Sequence, residues 1–251
     1  MREQINIRFY AELNDFLAPG QRGHEISLEL KQPRSVKDLI ESIGIPHPEI
    51  DLVLVNGNPV RLDHLVQDSE NISVYPLFRS LDISPIQHCQ PEQPLEPCFV
   101  LDVHLGRLAA YMRMLGFDAQ YRNDYEDETL ADISSSCDRI LLSCDRQLLM
   151  RKKVSFGYFV RTREPLRQLQ EVLSRFDLTN LIKPFTRCMQ CNGKTQAVKK
   201  SEIGGQLPAE TKKYYNKFFQ CEDCKKIYWE GSHYFKMQQM IRGLNDGSSS
   251  V

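Results

Sequence analysis

The chain has 251 residues, of which 41% are apolar and 26% are charged, a composition typical of a globular protein. Its apolar runs are far shorter than the roughly 20 residues that a membrane span needs. The first residues also lack the apolar block of a signal peptide. Length and composition therefore predict a cytoplasmic protein of one to three domains, without a membrane partner.

The net charge of −1 is divided unevenly along the chain. Residues 81–145 carry −8, whereas residues 146–178 carry +5 and residues 179–251 carry +6. An acidic block beside a basic half suits a metal site that acts on a nucleic acid, because phosphates dock on cations. The alternative is that these charges lie on unrelated solvated faces.

Residues 1–80 have the pattern of a small α+β domain. Apolar and polar residues alternate in two segments, as in half-buried strands, and a helical pattern with an N-cap and a terminal glycine follows them. Asn-Gly between two apolar runs then predicts a hairpin. The predicted elements are strands at 5–10 and 24–30, a helix at 35–44, a hairpin around Asn56-Gly57 and a strand from Asn71.

This order of elements resembles the ubiquitin-like, β-grasp sulfur-carrier family, and "VNGNPV" (55–60) is similar to the hairpin of that family. Those carriers end in Gly-Gly, but here the chain continues as "LFRSLDIS". The domain is therefore interpreted as a recognition or scaffolding module with a protein partner, or as an appendage that only stabilises the chain. A proline-rich linker, predicted at 81–97, would keep it apart from the rest of the protein.

Residues 98–180 alternate between strand-like and helix-like patterns. Such alternation predicts βαβ units, and hence an α/β fold with a parallel sheet between flanking helices. The predicted strands begin at Cys98, Phe117, Arg139 and Gly157.

Acidic residues stand where these strands end. Asp102 follows the first strand and Asp145 the third, so both are expected at the carboxyl edge of the sheet, where ligands of parallel sheets bind. One or two acids near the second strand are expected to join them, and which of them does is left open: Asp118, Asp124, Asp127 and Glu128.

Converging carboxylates suit a hard cation such as Mg²⁺ or Mn²⁺, which activates water for phosphodiester hydrolysis. Asp102 and Asp145 are the predicted ligands. Arg107, Arg113 and Arg146 are predicted to bind RNA phosphates. The simpler alternative for each aspartate is that it caps the helix that follows.

Two stretches, "FVLDVHLGRLAAYMRMLGFD" (99–118) and "RILLSCDRQLLMRKK" (139–153), resemble the Mut-seven C-terminal ribonuclease domain, a PIN-like nuclease family. The pattern of that family, Asp followed by Leu-Gly-Arg-Leu-Ala and later Leu-Gly-Phe-Asp, is matched from Asp102 to Asp118. Its Leu-Thr-Arg-Asp stands here as Leu-Ser-Cys-Asp, ending at Asp145. The resemblance covers residues 98–240 and implies a PIN-like core with ribonuclease activity, which a ubiquitin-like domain precedes in members of the family.

Four of the eight cysteines have metal-ligand spacing, in the sequence CxxC, 29 residues, CxxC. Four thiolates close a tetrahedral Zn²⁺ site, so the zinc is predicted to be structural, and a redox dithiol is the alternative. The resemblance also implies a zinc ribbon after the core, predicted at 181–240 and followed by a flexible tail at 241–251. The predicted zinc ligands are Cys188, Cys191, Cys221 and Cys224.

The segment "KKYYNKFF" (212–219) interleaves lysines with aromatic residues. This arrangement suits stacking on unpaired bases together with phosphate contacts. Packing of the ribbon is an equally good explanation.

These patterns together predict a metal-dependent ribonuclease. Its catalytic carboxylates are Asp102, Asp145 and Asp124, with Asp118 and Glu128 as further candidates. The alternative is a non-catalytic RNA- or ribosome-binding adaptor that uses the ribbon and the basic C-terminal half. A phosphatase of the aspartyl-phosphate kind is less favoured, because its second acid would stand where this chain has histidine.

Overall fold

A computed structural model describes residues 4–30, 32–78, 83, 86, 89 and 96–247, without the side chains of 233, 240, 241 and 244–247. Most of the linker predicted at 81–97 lies outside the described residues. The chain divides into two compact units, each built from two stretches of sequence. The first combines Met1–Leu95 with Tyr125–Phe159, and the second combines Glu96–Asp124 with Val160–Val251.

The front of the chain forms a five-stranded mixed sheet with one helix, as the sequence predicts. Its elements are β1 (Gln4–Phe9), β2 (Glu25–Glu29), α1 (Val36–Ile43), β3 (Leu52–Val55), β4 (Asn58–Val60) and β5 (Asn71–Tyr75). The strand order is β2-β1-β5-β3-β4, with β1 and β5 parallel and the other pairs antiparallel. This is the arrangement of a β-grasp domain.

Local interactions explain why α1 and the hairpin form where predicted. The Ser35 hydroxyl accepts a hydrogen bond from Asp38 N at the start of α1, and Gly44 ends the helix at φ +100°. Between β3 and β4, Asn56 and Gly57 both have positive φ, which a two-residue hairpin of this twist requires.

The middle of the chain alternates strands with helices. In chain order the elements are β6 (Phe99–Leu101), α2 (Gly106–Met114), β7 (Ala119–Gln120), α3 (Asp127–Ser136), β8 (Ile140–Ser143), α4 (Arg146–Leu149), β9 (Gly157–Phe159) and α5 (Pro165–Arg175). In the second unit β6 pairs with β7 in parallel, and in the first unit β8 pairs with β9 in parallel. Parallel strands with helices between them confirm the predicted α/β class.

The C-terminal region contains a three-stranded antiparallel sheet and short helices. Its elements are β10 (Thr195–Val198), α6 (Lys200–Ile203), α7 (Ala209–Tyr214), β11 (Phe218–Cys221), β12 (Ile227–Trp229) and α8 (Ser232–Gly247). Helix α8 continues through the stretch where a tail was predicted to begin at 241. Within the described part of the chain, no helix is both long and apolar enough to cross a membrane.

The β-grasp domain packs against residues 125–159, and the expectation that the linker keeps it apart is therefore wrong. Phe159 of β9 packs on the hydrophobic core of the domain. Its backbone N–H donates to the fully buried carboxylate of Glu49 over 2.6 Å, and His47 Nε2 donates to Val154 O over 2.8 Å. These buried polar contacts join the front domain to a segment of the nuclease-like region.

Candidate active site and metal centre

Asp102 follows β6 directly and is only 5% exposed. It occupies the N-cap position of a 3₁₀ turn, Val103–Leu105, but its side chain makes no capping hydrogen bond. Capping therefore does not explain this carboxylate. Its place directly after a fully buried strand makes it a candidate for a role other than helix capping.

The ends of β6 and β7 are held together by the side chain of Tyr121. Its hydroxyl donates to Val103 O over 3.0 Å. The ring lies over the first residue of α2, so that a Cβ on Gly106 would be 2.7 Å from the tyrosine oxygen. The glycine of the "LGR" sequence is thus required by this close approach, which fixes the backbone beside Asp102.

Asp118 does not lie at the same edge as Asp102, contrary to the expectation from sequence. It precedes β7, and because β6 and β7 are parallel, its carbonyl instead accepts from the first residue of β6, Phe99 N, over 2.7 Å. Its carboxylate accepts from Asn192 Nδ2 over 2.8 Å and pairs with Arg187 at 3.1 Å. The carboxylate of Asp118 therefore binds residues in and beside the first CxxC loop and is not placed to bind an ion beside Asp102.

Asp124 follows β7 and lies in an exposed turn. The Arg122 guanidinium donates to both of its oxygens, over 2.9 and 2.6 Å. This hydrogen bonding lowers the pKa of the Asp124 carboxyl, so that it stays ionised to lower pH. Asp124 remains a candidate ligand on the same side of the strand pair as Asp102.

Asp145 follows β8 in the first unit and is exposed. Its Oδ1 accepts from Gln147 N over 2.8 Å and thereby caps α4. Its own N–H donates to the hydroxyl of the buried Ser143 over 2.8 Å. For Asp145 the capping role is therefore real, and any metal binding would be a second role.

Glu128 lies in the first turn of α3 and is exposed. The same helix pairs with the basic segment after α4: Asp127 with Arg151 at 3.6 Å, and Asp132 with Lys153. Exposed ion pairs of this kind contribute little to stability. They nevertheless pair two cations of the basic segment that follows Asp145 with carboxylates of α3.

Arg146 is held by the β-grasp domain rather than free for phosphate. Its Nη1 lies 3.3 Å from Phe16 O and 3.5 Å from Gly44 O. Its guanidinium carbon is 4.8 Å from the ring centre of Phe16 and 5.5 Å from that of Phe159. The predicted RNA contact is thus replaced by cation–π and hydrogen-bond contacts that join the domain to α4.

Arg113 is also unsuited to bind RNA, because it is buried at 3% exposure. Its guanidinium donates to Ala119 O over 2.8 Å, and to Met189 O and Gln190 O of the first CxxC loop over 3.2 and 2.9 Å. Burial lowers its pKa, an effect that the neighbouring Cys188, Cys191 and Asp118 oppose. Of the three predicted phosphate contacts, Arg107 is exposed on α2 and keeps that role as a prediction.

The four predicted zinc ligands lie together. All four sulfur atoms are within 4.8 Å of one another, and the closest pairs, Cys191–Cys221 and Cys188–Cys224, are 3.4 and 3.6 Å apart. A tetrahedron with metal–sulfur bonds of about 2.3 Å has sulfur atoms about 3.8 Å apart. The arrangement therefore fits a closed site for a metal such as zinc.

Gly193 and Tyr228 shape this metal centre. A Cβ on Gly193 would lie 2.2 Å from Asp223 Oδ2 and 3.0 Å from Cys221 Sγ, so a larger residue would displace Asp223 and crowd a metal ligand. Burial by itself would raise the pKa of Cys188, but hydrogen bonds from the Tyr228 hydroxyl, at 3.1 Å, and from the Cys191 and Gln190 backbone lower it to about 7. This favours the thiolate form that binds metal.

Sequence reasoning did not single out Asn192, Arg187 or Tyr228. Asn192 has a left-handed φ of +72° and uses its side chain to join the first CxxC loop to Asp118 and to Ala119 N. Asparagine directly after CxxC is a signal for such a turn, since it tolerates this conformation. The partners of its side chain lie more than 70 positions away and leave no local signal.

The fold is that of a modular α/β protein with a β-grasp sheet, parallel strands with helices between them and a four-cysteine centre. A family model described as the Mut7-C RNAse domain matches residues 97–241, and one described as Mut7-C ubiquitin matches residues 2–82. The chain therefore belongs to the Mut7-C RNAse domain family. Searches of curated proteins and of solved structures returned no match.

Proposed function

We propose that the protein is a metal-dependent ribonuclease that hydrolyses RNA phosphodiester bonds, with Asp102 and Asp145 as ligands of Mg²⁺ or Mn²⁺. The observation that carries this proposal is the carboxylate of Asp102, which is buried at the end of β6 and caps nothing. It lies inside the region that matches the RNAse domain model. A second aspartate, Asp145, follows another parallel strand in the same region.

The donor set suits a hard cation, because Asp102, Asp145 and Asp124 offer carboxylate oxygens and no sulfur or nitrogen. Such an ion, when bound, activates a water molecule and stabilises the leaving oxygen of a phosphodiester. Asp102 would supply a fixed charge in a site of low dielectric, and Asp124 an exposed one. The exposed Arg107 on α2 would position a phosphate.

The four-cysteine centre has a structural role in this proposal. Its four thiolates leave no ligand position open for water, so we assign it to zinc and not to the reaction. Elemental analysis of the purified protein should find about one zinc per chain.

All eight cysteines are free of disulfides, which fits the predicted cytoplasmic location.

The decisive experiment measures cleavage of a panel of labelled single-stranded RNAs by zinc-loaded protein, with and without added Mn²⁺. Omission of Mn²⁺ is preferable to a chelator, because a chelator would also remove the structural zinc. Cleavage that requires Mn²⁺ and disappears in Asp102→Asn supports the proposal. RNA binding without cleavage in every condition would support the adaptor function instead.

A further inference from the structure

A cavity of about 570 Å³ opens on the C-terminal region, between α7, the end of β12 and the start of α8. None of the carboxylates assigned to catalysis and none of the four cysteines lines it. Its wall is unusually rich in aromatic side chains, namely Tyr214, Tyr215, Tyr228, Trp229 and Tyr234. Cavities of about 300–1,000 Å³ with such linings are typical of small-ligand sites.

The aromatic walls are held in place and also accessible. Tyr228 is tied to the metal centre by its contact with Cys188, whereas Tyr214 is 64% exposed. The indole of Trp229 lies across Gly231, where a Cβ would come within 2.8 Å of Nε1. Glycine at this position therefore lets the indole face remain part of the cavity wall.

Lysines are present at the cavity and on α7, the helix that borders it. Lys226 lines the cavity, and Lys213 Nζ lies 5.1 Å from the ring centre of Tyr214. Lys212 is exposed on the same helix, and residues 179–251 carry a net charge of +6. A ligand with a flat aromatic part and a negatively charged backbone matches these features, and single-stranded nucleic acid has both.

We propose that this cavity binds an unpaired base of single-stranded RNA, stacked on Trp229 and Tyr214, while Lys213 and Lys226 contact the neighbouring phosphates. The inference rests on the proposed action on RNA and adds a substrate-binding site outside the carboxylates. Duplex RNA is excluded from it, because paired bases cannot enter a cavity. Glu210, which also lines it, can accept a hydrogen bond from the exocyclic amino group of cytosine.

The structure also separates the two explanations of the segment 212–219. Phe218 is 2% exposed and belongs to the core of the ribbon, so the second half of the segment has a packing role. Tyr214 remains largely exposed and lines the cavity together with Tyr215. Stacking on bases is thus assigned to the first half only.

Trp229 is the only tryptophan in the chain, so its fluorescence reports on this cavity. The experiment uses full-length, zinc-loaded Asp102→Asn protein, which keeps the RNA intact, and titrates it with a short cytosine-rich single strand and with the matching duplex. We expect saturable quenching by the single strand and at least tenfold weaker binding of the duplex. Tyr214→Ala should weaken single-strand binding about tenfold, whereas Phe235→Ala should not.

Phe235 is a matched control, because it is 55% exposed in the same region and does not line the cavity.

Lys213→Gln should reduce the slope of log affinity against log salt by about 0.7, the value for one phosphate contact to a single strand. Equal quenching by duplex, or wild-type affinity in Tyr214→Ala, would overturn the proposal. It would also be overturned if a lysine-free acidic peptide displaced the bound single strand and additional RNA did not. Quenching without cleavage by the wild-type protein would support the cavity and contradict the nuclease, so the two proposals fail separately.

Discussion

The junctions that follow β6 and β8 have the same sequence pattern, an apolar strand that ends in aspartate before a helix. In the structure they differ. Asp102 is buried and caps nothing, whereas Asp145 is exposed and caps α4 through Gln147 N. The same pattern thus produces one aspartate that caps the following helix and one that does not.

The two regions also differ in what is bound by an arginine of the helix that follows each aspartate. Arg113 of α2 binds carbonyl oxygens of the first CxxC loop, and Arg146 of α4 binds carbonyl oxygens of the β-grasp domain. Each region is therefore anchored to its own accessory module by a guanidinium group. Arginine suits both positions, because its planar group donates in several directions at once.

Asp102→Asn should have the largest effect and tests whether the buried carboxylate is functional. We expect RNA cleavage to fall about a thousandfold, equivalent to about 4 kcal/mol in the activation free energy. The melting temperature should stay level or rise, because a buried charge is replaced by a neutral group of the same size. Cleavage at the wild-type rate in this variant would contradict the assignment of Asp102 as a metal ligand.

Asp145→Asn should lower cleavage about a hundredfold, or about 2.7 kcal/mol. The smaller loss is expected because the charge of an exposed carboxylate is partly screened by water. Stability should not change, since asparagine caps a helix as well as aspartate does. Asp145→Ala serves as the control, and it should lose the same activity and also about 1 kcal/mol of unfolding free energy.

Arg113→Met tests the anchor between α2 and the metal centre. Because carbonyl oxygens would remain buried without their donor, we expect a loss of about 2 kcal/mol in unfolding free energy and faster release of zinc to a colorimetric chelator. Arg107→Met, an exposed change on the same helix, should change stability by less than about 0.5 kcal/mol. Unchanged zinc release in Arg113→Met would show that the contact is dispensable.

Arg146→Met should have the smallest effect of the four, about 1.5 kcal/mol of stability, because Arg146 is itself partly exposed where it contacts Phe16 and Phe159. Hydrogen exchange should accelerate in the 3₁₀ turn around His47 and in β9. Arg167→Met is the matched exposed control on α5. Equal exchange in both variants would mean that Arg146 does not hold the β-grasp domain.

The sequence predicted the elements well because their signals are local. The hairpin at Asn56-Gly57, the cap at Ser35 and the alternation of strands and helices each depend on neighbouring residues, and all are confirmed. The cysteine group was predictable for the same reason, because CxxC spacing places two ligands on one tight loop.

The parts that sequence reasoning missed depend on distant partners. The carbonyls that Arg146 approaches belong to residues 130 and 102 positions earlier, and those of the CxxC loop that Arg113 binds are 76 and 77 positions later. No periodicity reports such contacts, and charge and local position in the sequence therefore suggested phosphate contacts for both side chains. Asp118 was misplaced because β7 has only two residues, and the sequence pattern did not show on which side of so short a strand it lies.

The contact between the β-grasp domain and residues 125–159 has a consequence for how the protein is made. Domains generally fold in order of synthesis, the N-terminal one first. The β-grasp sheet is then complete while β8, α4 and β9 are still being translated. Phe16, His47 and Glu49 would meet this segment as it leaves the ribosome, and the finished domain would serve as the template on which residues 125–159 assemble.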